Sequence, residues 1–373
     1  MCCLTQSLLP PDAASLLCYV DDPLAGIVGS DDEINCYVAM IILTWEALGF
    51  RLAYAKGQIG HTVTWIGGTI ACEALGVRVR VKQAIIDEIK ADLAKYLAGN
   101  IISLKDLHST VGRINYAAGL LVVLRPFMEP LWAVLNDHRT TNAPTNCVWT
   151  SQLRPTLLWF RAFFENEGAQ LERFFSLEAY SRRGDVVQIG TDASPYGMGG
   201  WITVNGRVKR YFGCPISDHD VKTYGQQRGS CDGQQLWECL AVLVALDLWA
   251  PLWKQKRVTL QIKGDNDTAL TLLLKFRPST PEMAIIAKEL ALRLAVLSFP
   301  PDAIHVPGVS HIAADALSRV FAPGASNIVD ESTHHSLAGA VKDEPPARSD
   351  DWYRALTLNA ATAVAEEVRG ANN

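Results

Sequence analysis

The sequence predicts an α/β protein: a five-stranded mixed sheet with flanking helices in the C-terminal half, preceded by an α+β segment and a mainly helical one. Three patterns predict it. Residues 184–204 alternate through Val187 and Ile189, turn near Ser194-Pro195 and return through Trp201, Ile202 and Val204, the period-2 signature of paired strands. Residues 184–321 then alternate strand-like and helix-like runs, which builds a sheet with helices packed on it. Residues 71–183 instead repeat apolar side chains at three- and four-residue spacing, as amphipathic helices do.

In chain order, Leu16 to Val20 form a short apolar strand that ends in Asp21-Asp22, and a second strand follows Pro23. Asp31 or Asp32 can cap the next helix, where Ile34, Val38, Ile41, Trp45 and Leu48 share a face and Gly49 ends the run. Val63, Trp65 and Ile66 make another strand, turned by Gly67-Gly68. Residues 81–97 place Ile85, Ile89, Leu93 and Leu97 on one helical face. Ser103 can cap a helix carrying Leu107, Val111, Ile114 and Ala118, which Pro126 and Pro130 break up. A polar connector over 140–145 leads to an aromatic-rich helix over 151–165, and the polar stretch 181–185 reads as a domain boundary.

In the C-terminal half, Ser194, Pro195, Gly197, Gly199 and Gly200 are expected to turn the chain after the first strand. A third strand spans 207–213. Asp232 and Gln235 have capping-box spacing before a helix over 236–249. Val258, Leu260 and Ile262 alternate in a fourth strand, Pro278 and Pro281 divide two helices, residues 303–306 make a fifth strand, and a last helix covers 312–320. Beyond 322 the composition turns to Gly, Ala, Ser, Pro and acids: an acidic, flexible tail with one helix over 352–368.

Apolar residues are 49% of the chain and charged residues 20%, a globular balance that excludes a disordered protein. The net charge of -5 is not that of a nucleic-acid-coating protein. Residues 51–139 nevertheless hold eleven basic against seven acidic side chains, and residues 322–373 four against eight. A basic middle with an acidic tail is compatible with a phosphate-binding surface. The nine cysteines include no CxxC pair and no zinc-spaced His/Cys cluster, so they read as free thiols in a reducing intracellular compartment, cytoplasm or nucleus. No basic region precedes the short N-terminal apolar run, which speaks against a signal peptide. Residues 116–135 and 236–253, interrupted by Arg125 and Glu129 or by Glu238 and Asp247, fall short of the ~20 apolar residues of a membrane span. Both are expected as core helices of a soluble protein.

The chemistry is expected from carboxylates. An acid at the end of a buried strand is costly to desolvate unless it meets a cation, so Asp192 should be a metal ligand joined by acids from later elements. Glu238 lies early on a helix among apolar neighbours, Asp265 ends the fourth strand, and Asp315 lies four residues after His311 on the last helix. Singly, each reads equally well as a turn former or a solvated helix acid; together, with the elements between them, they point to a metal site.

Residues 184–321 resemble a ribonuclease H of the kind fused to retrotransposon reverse transcriptases, through TDASPYGMGGWI, LWECLAVLVAL, IKGDNDTAL and HVPGVSHIAADALSR. The resemblance implies an RNase H-like sheet, with Asp192, Glu238, Asp265 and Asp315 as metal-binding acids that cleave the RNA strand of RNA–DNA hybrids. Two Mg²⁺ ions (Mn²⁺ being the alternative) about 3.5–4 Å apart would clamp the attacking and leaving oxygens, and hard oxygen ligands suit Mg²⁺. Selectivity for the hybrid rests on 2′-hydroxyls and groove shape. His305 stands near the place of a product-releasing histidine in that family, but between Ile304 and Val306 it reads as a strand-end residue. His311 departs from the family's usual Asn.

Tyr19-Val20-Asp21-Asp22, followed by a helix, Leu48-Gly49-Phe50, Lys56 and Val63 to Gly68, is similar to the closing motifs of a reverse-transcriptase palm. By that resemblance residues 1–70 are a partial palm, 71–183 a thumb and connection, Asp21 and Asp22 face polymerase metals, and Lys56 lies near the leaving pyrophosphate. Pro23 stands where relatives carry an aliphatic residue. Only eighteen residues precede Tyr19, so the first-motif aspartate has no place, and this chain alone is not expected to polymerise DNA. The expectation is therefore a ribonuclease H in a truncated reverse transcriptase or a polyprotein segment. The alternatives are a silent nucleic-acid-binding remnant and an integrase-like nuclease.

Overall fold

The computed structural model describes residues 2–136, 142–165, 171–177, 184–253, 258–294, 301–308, 311–325 and 331–353. Most of the expected boundary at 181–185, the start of the connector at 140 and nearly all of the expected tail helix lie outside them.

The N-terminal elements are α1 (Cys2–Ser7), an antiparallel hairpin of β1 (Ala14–Tyr19) and β2 (Asp22–Ile27), and α2 (Asp31–Ala47). Leu9, Ala14, Leu16, Ile41 and Trp45 form their small core. The α2 cap is Ser30, not Asp31 or Asp32. Its hydroxyl accepts from the Glu33 amide while the Glu33 carboxylate accepts from the Ser30 amide at 2.8 Å, a reciprocal pair that satisfies two helix-end donors. The two aspartates occupy the first turn instead, where the helix dipole favours negative charge.

The stretch expected to be largely helical opens and closes with strands. After β3 (Thr62–Trp65), the segments β4 (Gly68–Glu73), β5 (Gly76–Val81) and β8 (Glu172–Ser176) join it in an antiparallel sheet ordered β3-β4-β5-β8. Val77, Val79 and Val81 alternate with Arg78 and Arg80, a period-2 pattern that outweighs the helical reading. Both arginines pair with the buried Glu172, which ties β5 to β8. Between these strands α3 (Gln83–Ala98), β6 (Ile101–Ser103), α4 (Leu104–Leu120), α5 (Glu129–Asn136), β7 (Cys147–Trp149) and α6 (Thr150–Glu165) make the helical part. Ser103 caps α4 as expected, accepting from the Asp106 amide at 3.1 Å. As expected, the prolines break the helix up: α4 ends at Leu120, Pro130 lies in the first turn of α5, and between them Pro126 sits inside a 3-10 helix, Val122–Met128. Phe127 there stacks on Trp159 of α6, with ring centroids 3.7 Å apart.

The C-terminal half is built on β9 (Asp185–Ala193), β10 (Gly197–Val204), β11 (Arg207–Pro215), β12 (Val258–Gly264) and β13 (Asp302–His305). β9, β10 and β11 form an antiparallel meander, and β12 and β13 add in parallel beside β9. The sheet is six-stranded rather than five. β14 (Val341–Lys342) pairs in parallel with β11, giving the order β13-β12-β9-β10-β11-β14. Gly197, Gly199 and Gly200 lie within β10, not in the turn, which is shorter than the sequence suggested.

After α7 (Asp218–Tyr224) comes α8 (Gln234–Trp249), then α9 (Asp267–Lys275), α10 (Pro281–Leu294), α11 (Ile312–Arg319) and α12 (Glu331–Ser336). The cap expected from Asp232 and Gln235 is absent. Asp232 belongs to a 3-10 turn capped by Ser230, and the N-cap of α8 is Gly233, which provides no side-chain cap. α8 is apolar on nearly every side because it is enclosed: the sheet covers one flank, α9 and α10 the other. Among the described residues the helical stretch Cys231–Leu252 is long and apolar enough to cross a membrane, contrary to the sequence reading. It is instead the core helix of this half, with Trp237, Leu240 and Leu243 fully buried. α10 also packs on the Val122–Met128 turn, so one continuous core runs from Val81 to Tyr353.

Residues 331–353 pack on this half, so that portion of the expected tail is structured. Arg348 pairs with the fully buried Asp220 through two nitrogens, at 2.8 and 2.7 Å. Asp343 accepts from Arg210 and from Trp249, each at 2.8 Å.

Candidate active site

The centre of the sheet carries Asp192 on the penultimate residue of β9, only 7% exposed. Three other elements bring acids toward it. Glu238 stands in the second turn of α8, Asp265 follows β12 directly, and Asp315 is in the first turn of α11. Glycine makes the last approach feasible. A Cβ on Gly199 would stand 2.4 Å from the Leu317 Cβ, and one on Gly197 would stand 2.8 Å from the Ser318 carbonyl oxygen. With no side chain in the way, α11 lies directly on β10, and Asp192 is the register partner of Gly199 on β9.

The electrostatics record the convergence. Burial pushes the Asp192 carboxyl up to about 6; the Ser318 hydrogen bond opposes this, and the charges of Asp315 and Asp265 add to it. Burial likewise pushes Glu238 up to about 7, opposed by a hydrogen bond from Gln234 and raised further by Asp192 and Asp265. Asp192 and Asp265 thus connect all four acids. They do not form a closed cage: among the described residues no three His, Cys, Asp or Glu side chains sit at metal-holding spacing. The donor set still fits a hard divalent cation. It consists of carboxylate oxygens, two of them held toward the neutral form chiefly by burial, and Mg²⁺ needs few protein ligands because water and phosphate complete its shell.

Several neighbours fix these acids. Ser318 Oγ lies 2.8 Å from Asp192 Oδ2 and 2.9 Å from the Asp315 carbonyl. Gln234 Nε2 donates to Glu238 Oε1 at 3.1 Å and also to the Ala193 carbonyl, joining α8 to the end of β9. Asn266, next to Asp265 in the chain, caps α9 through its Oδ1, which accepts from the Thr268 and Ala269 amides at 2.8 and 3.2 Å. None of the three was singled out in the sequence. Ser318 lies three residues after Asp315 and Gln234 four before Glu238, so helical spacing alone could have found them. Arg319 pairs with Asp315 at 2.6 Å on the exposed side.

His311 is buried at 3% exposure and precedes α11. Its Nε2 lies 2.9 Å from the Thr191 carbonyl, which can only accept, so that nitrogen carries hydrogen. His305 ends β13, exposed, with Nε2 3.2 Å from the Asp265 carbonyl. A Cβ on Gly308 would stand 3.1 Å from Asp265 Oδ2, so the loop after β13 passes close to that carboxylate.

The other predicted pair is placed differently. Asp21 and Asp22 are exposed at the tip of the β1–β2 hairpin, where Val20 takes φ 55°. Trp65 Nε1 donates to the Asp22 carbonyl at 3.0 Å, so β3 lies against the hairpin tip. Lys56 ends the 3-10 turn Tyr54–Lys56 and is exposed.

No family model matches the chain. No curated protein matches it either. Among solved structures it is similar to foamy viral protease-reverse transcriptase in complex with an RNA/DNA hybrid, at 14% identity and TM-score 0.36, over 92% of this chain and 39% of that one. It is also similar to that protein in complex with double-stranded DNA, at 14% identity and TM-score 0.36, over 82% and 57%. A third is the foamy viral protease-reverse transcriptase dRH with double-stranded DNA, at 15% identity and TM-score 0.35, over 78% and 46%. The chain therefore spans between 39% and 57% of the length of these proteins.

Proposed function

We propose that residues 184–321 form a Mg²⁺-dependent ribonuclease H that cleaves the RNA strand of RNA–DNA hybrids, within a reverse-transcriptase segment whose residues 1–70 derive from a palm and 71–183 from a thumb and connection. One observation carries the reading: Ser318 Oγ, 2.8 Å from Asp192 Oδ2, ties the end of β9 to the helix that bears Asp315, and Gln234 joins Glu238 to the Ala193 carbonyl beside Asp192. Four acids far apart in sequence converge from a strand, a strand end and two helices. The order of elements also supports it, with an antiparallel meander beside two parallel strands and the matching motifs falling on β9–β10, α8, the end of β12 and α11.

Asp192, Glu238, Asp265 and Asp315 would hold the ions. When bound, two Mg²⁺ lower the pKa of the attacking water and stabilise the leaving oxygen. The chain's own part is to present deprotonated carboxylates in fixed rotamers. Gln234 orients Glu238, and Ser318 orients Asp192. Asp21 and Asp22 have no comparable burial or support, so the proposed activity is assigned to the second site.

The test is cleavage of a labelled RNA–DNA hybrid by the whole chain with and without Mg²⁺. Asp192→Asn should abolish cleavage and leave hybrid binding in place. Undiminished cleavage by that variant would reject the assignment, and binding without cleavage by the unaltered chain would leave a nucleic-acid-binding remnant.

A further inference from the structure

The junction between α11 and the end of β9 contains a buried polar network that ordinary packing does not require. Ser318 is fully buried, and Ser194, just beyond β9, is 5% exposed. Ser194 Oγ lies 2.8 Å from the Ser318 carbonyl and accepts from the Gly197 and Tyr196 amides at 3.1 and 3.3 Å. Those two amides fill its acceptor sites, so its proton goes to a carbonyl. Ser318 Oγ has one proton and two acceptors in range, the Asp192 carboxylate at 2.8 Å and the Asp315 carbonyl at 2.9 Å. A hydrogen bond to an ionised carboxylate is about twice as strong as a neutral one, so Asp192 takes the proton whenever it is charged.

This bond removes freedom from Asp192. A lone carboxylate at a strand end can rotate and offer either oxygen. With Oδ2 held by a fully buried hydroxyl on a helix seated on glycines, Oδ1 is the oxygen left without a hydrogen bond among the described residues. The same helix carries Asp315 one turn earlier, so a single rigid element sets both acids. At its start, His311 fastens the helix to the Thr191 carbonyl, next to Asp192 in the chain. The helix is thus tied to β9 at both of its ends.

We propose that Ser318 is a positioning residue for the acids that would hold the metal: its hydroxyl fixes Asp192 through Oδ2, leaves Oδ1 as the oxygen that would be offered to a cation, and ties Asp192 to the helix that carries Asp315. The inference rests on the nuclease reading above. It adds a residue that touches neither substrate nor ion and acts through the carboxylate.

Mg²⁺ binding to the intact chain, followed by titration calorimetry without substrate, tests it alongside hybrid cleavage. Ser318→Ala should weaken Mg²⁺ binding about 10-fold, the usual size of losing a group that orients a ligand, and lower kcat with KM for the hybrid unchanged. Ser194→Ala removes another buried hydroxyl at the same junction without touching the carboxylate. It should lower the melting temperature comparably and keep Mg²⁺ affinity within about twofold, on the same scale of effects. Should Ser318→Ala fail to fold, Ser318→Cys supplies a near-isosteric, weak donor, and its Mg²⁺ affinity should fall severalfold. Wild-type affinity in the Ser318 variants, with binding lost in Asp192→Asn, overturns the role of Ser318 and leaves the nuclease reading intact. Equal losses in the Ser194 and Ser318 variants reduce Ser318 to packing and overturn it too. A wild-type chain that takes up no Mg²⁺ overturns both.

Discussion

Gly199 of β10 and Leu317 of α11 meet so closely that a methyl group on the glycine would stand 2.4 Å from the leucine Cβ. This contact lets α11 lie on the sheet and brings Asp315 toward Asp192. An alanine in a strand would ordinarily gain a little stability by restricting the unfolded chain. Here the sign reverses. Gly199→Ala should cost about 1–3 kcal/mol, the usual penalty of overpacking a core, because the backbone of α11 must move to admit the methyl group. Urea denaturation measures the loss, and hybrid cleavage should fall with it. A variant as stable as the parent would mean that the helix is not seated as described.

Much of the C-terminal half was legible because its signals are local. Val258, Leu260 and Ile262 alternate and are buried in that alternation, and Pro281 starts a helix where its missing amide costs nothing. The site acids were legible as strand-end and helix-face positions set in motifs. The misses share a cause: the deciding contact lies far away in sequence. β5 finds its partner β8 more than ninety residues later through Arg78 and Glu172, and β14 finds β11 through residues that read as tail. Gly197 and Gly199 looked like turn residues because nothing in their neighbourhood reveals a helix resting on them. Ser30 displaced the aspartates as the α2 cap because its partner Glu33 completes a reciprocal pair, a choice that local reading could have made.

Arg348 and Asp220 make the second test. The pair is almost completely withdrawn from water, with side chains 5% and 0% exposed, and Arg348 also donates to the Pro215 carbonyl at 3.0 Å. Removing one partner of a buried pair strands the other charge. Arg348→Ala should therefore destabilise the C-terminal half by about 3–5 kcal/mol. The double variant Arg348→Met with Asp220→Leu should recover much of that loss, since apolar replacement of a whole buried pair is often neutral. Thermal unfolding of the single and double variants decides. A single variant that melts with the parent would show that residues 341–353 contribute little to the fold.

The acid cluster sets the pH dependence. Asp192 and Glu238 hold their protons up to about 6 and about 7, against ordinary values of 3.8 and 4.5, chiefly because they are buried. Between roughly pH 4 and 7 the folded chain then binds more protons than the unfolded one, so these groups make stability fall as pH rises through that window. Their contribution is fully present below pH 4 and gone above the raised values. Together the two acids contribute on the order of a few kcal/mol, since a tenfold change in proton affinity is worth about 1.4 kcal/mol. On the proposed reading Mg²⁺ would bind the deprotonated acids, so it should oppose this loss, raising the melting temperature most near neutral pH and little at pH 5. Cleavage should rise over the same interval as protons leave the ligands. Calorimetric scans in EDTA and in Mg²⁺, compared between the parent and the Asp192→Asn, Glu238→Gln double variant, isolate the effect from other titrating groups. The variant should lose both the pH slope attributable to the pair and the stabilisation by Mg²⁺. An identical slope in parent and variant would mean that the two carboxyls are not held protonated by burial, and the case for an uncompensated cluster awaiting a cation would fail.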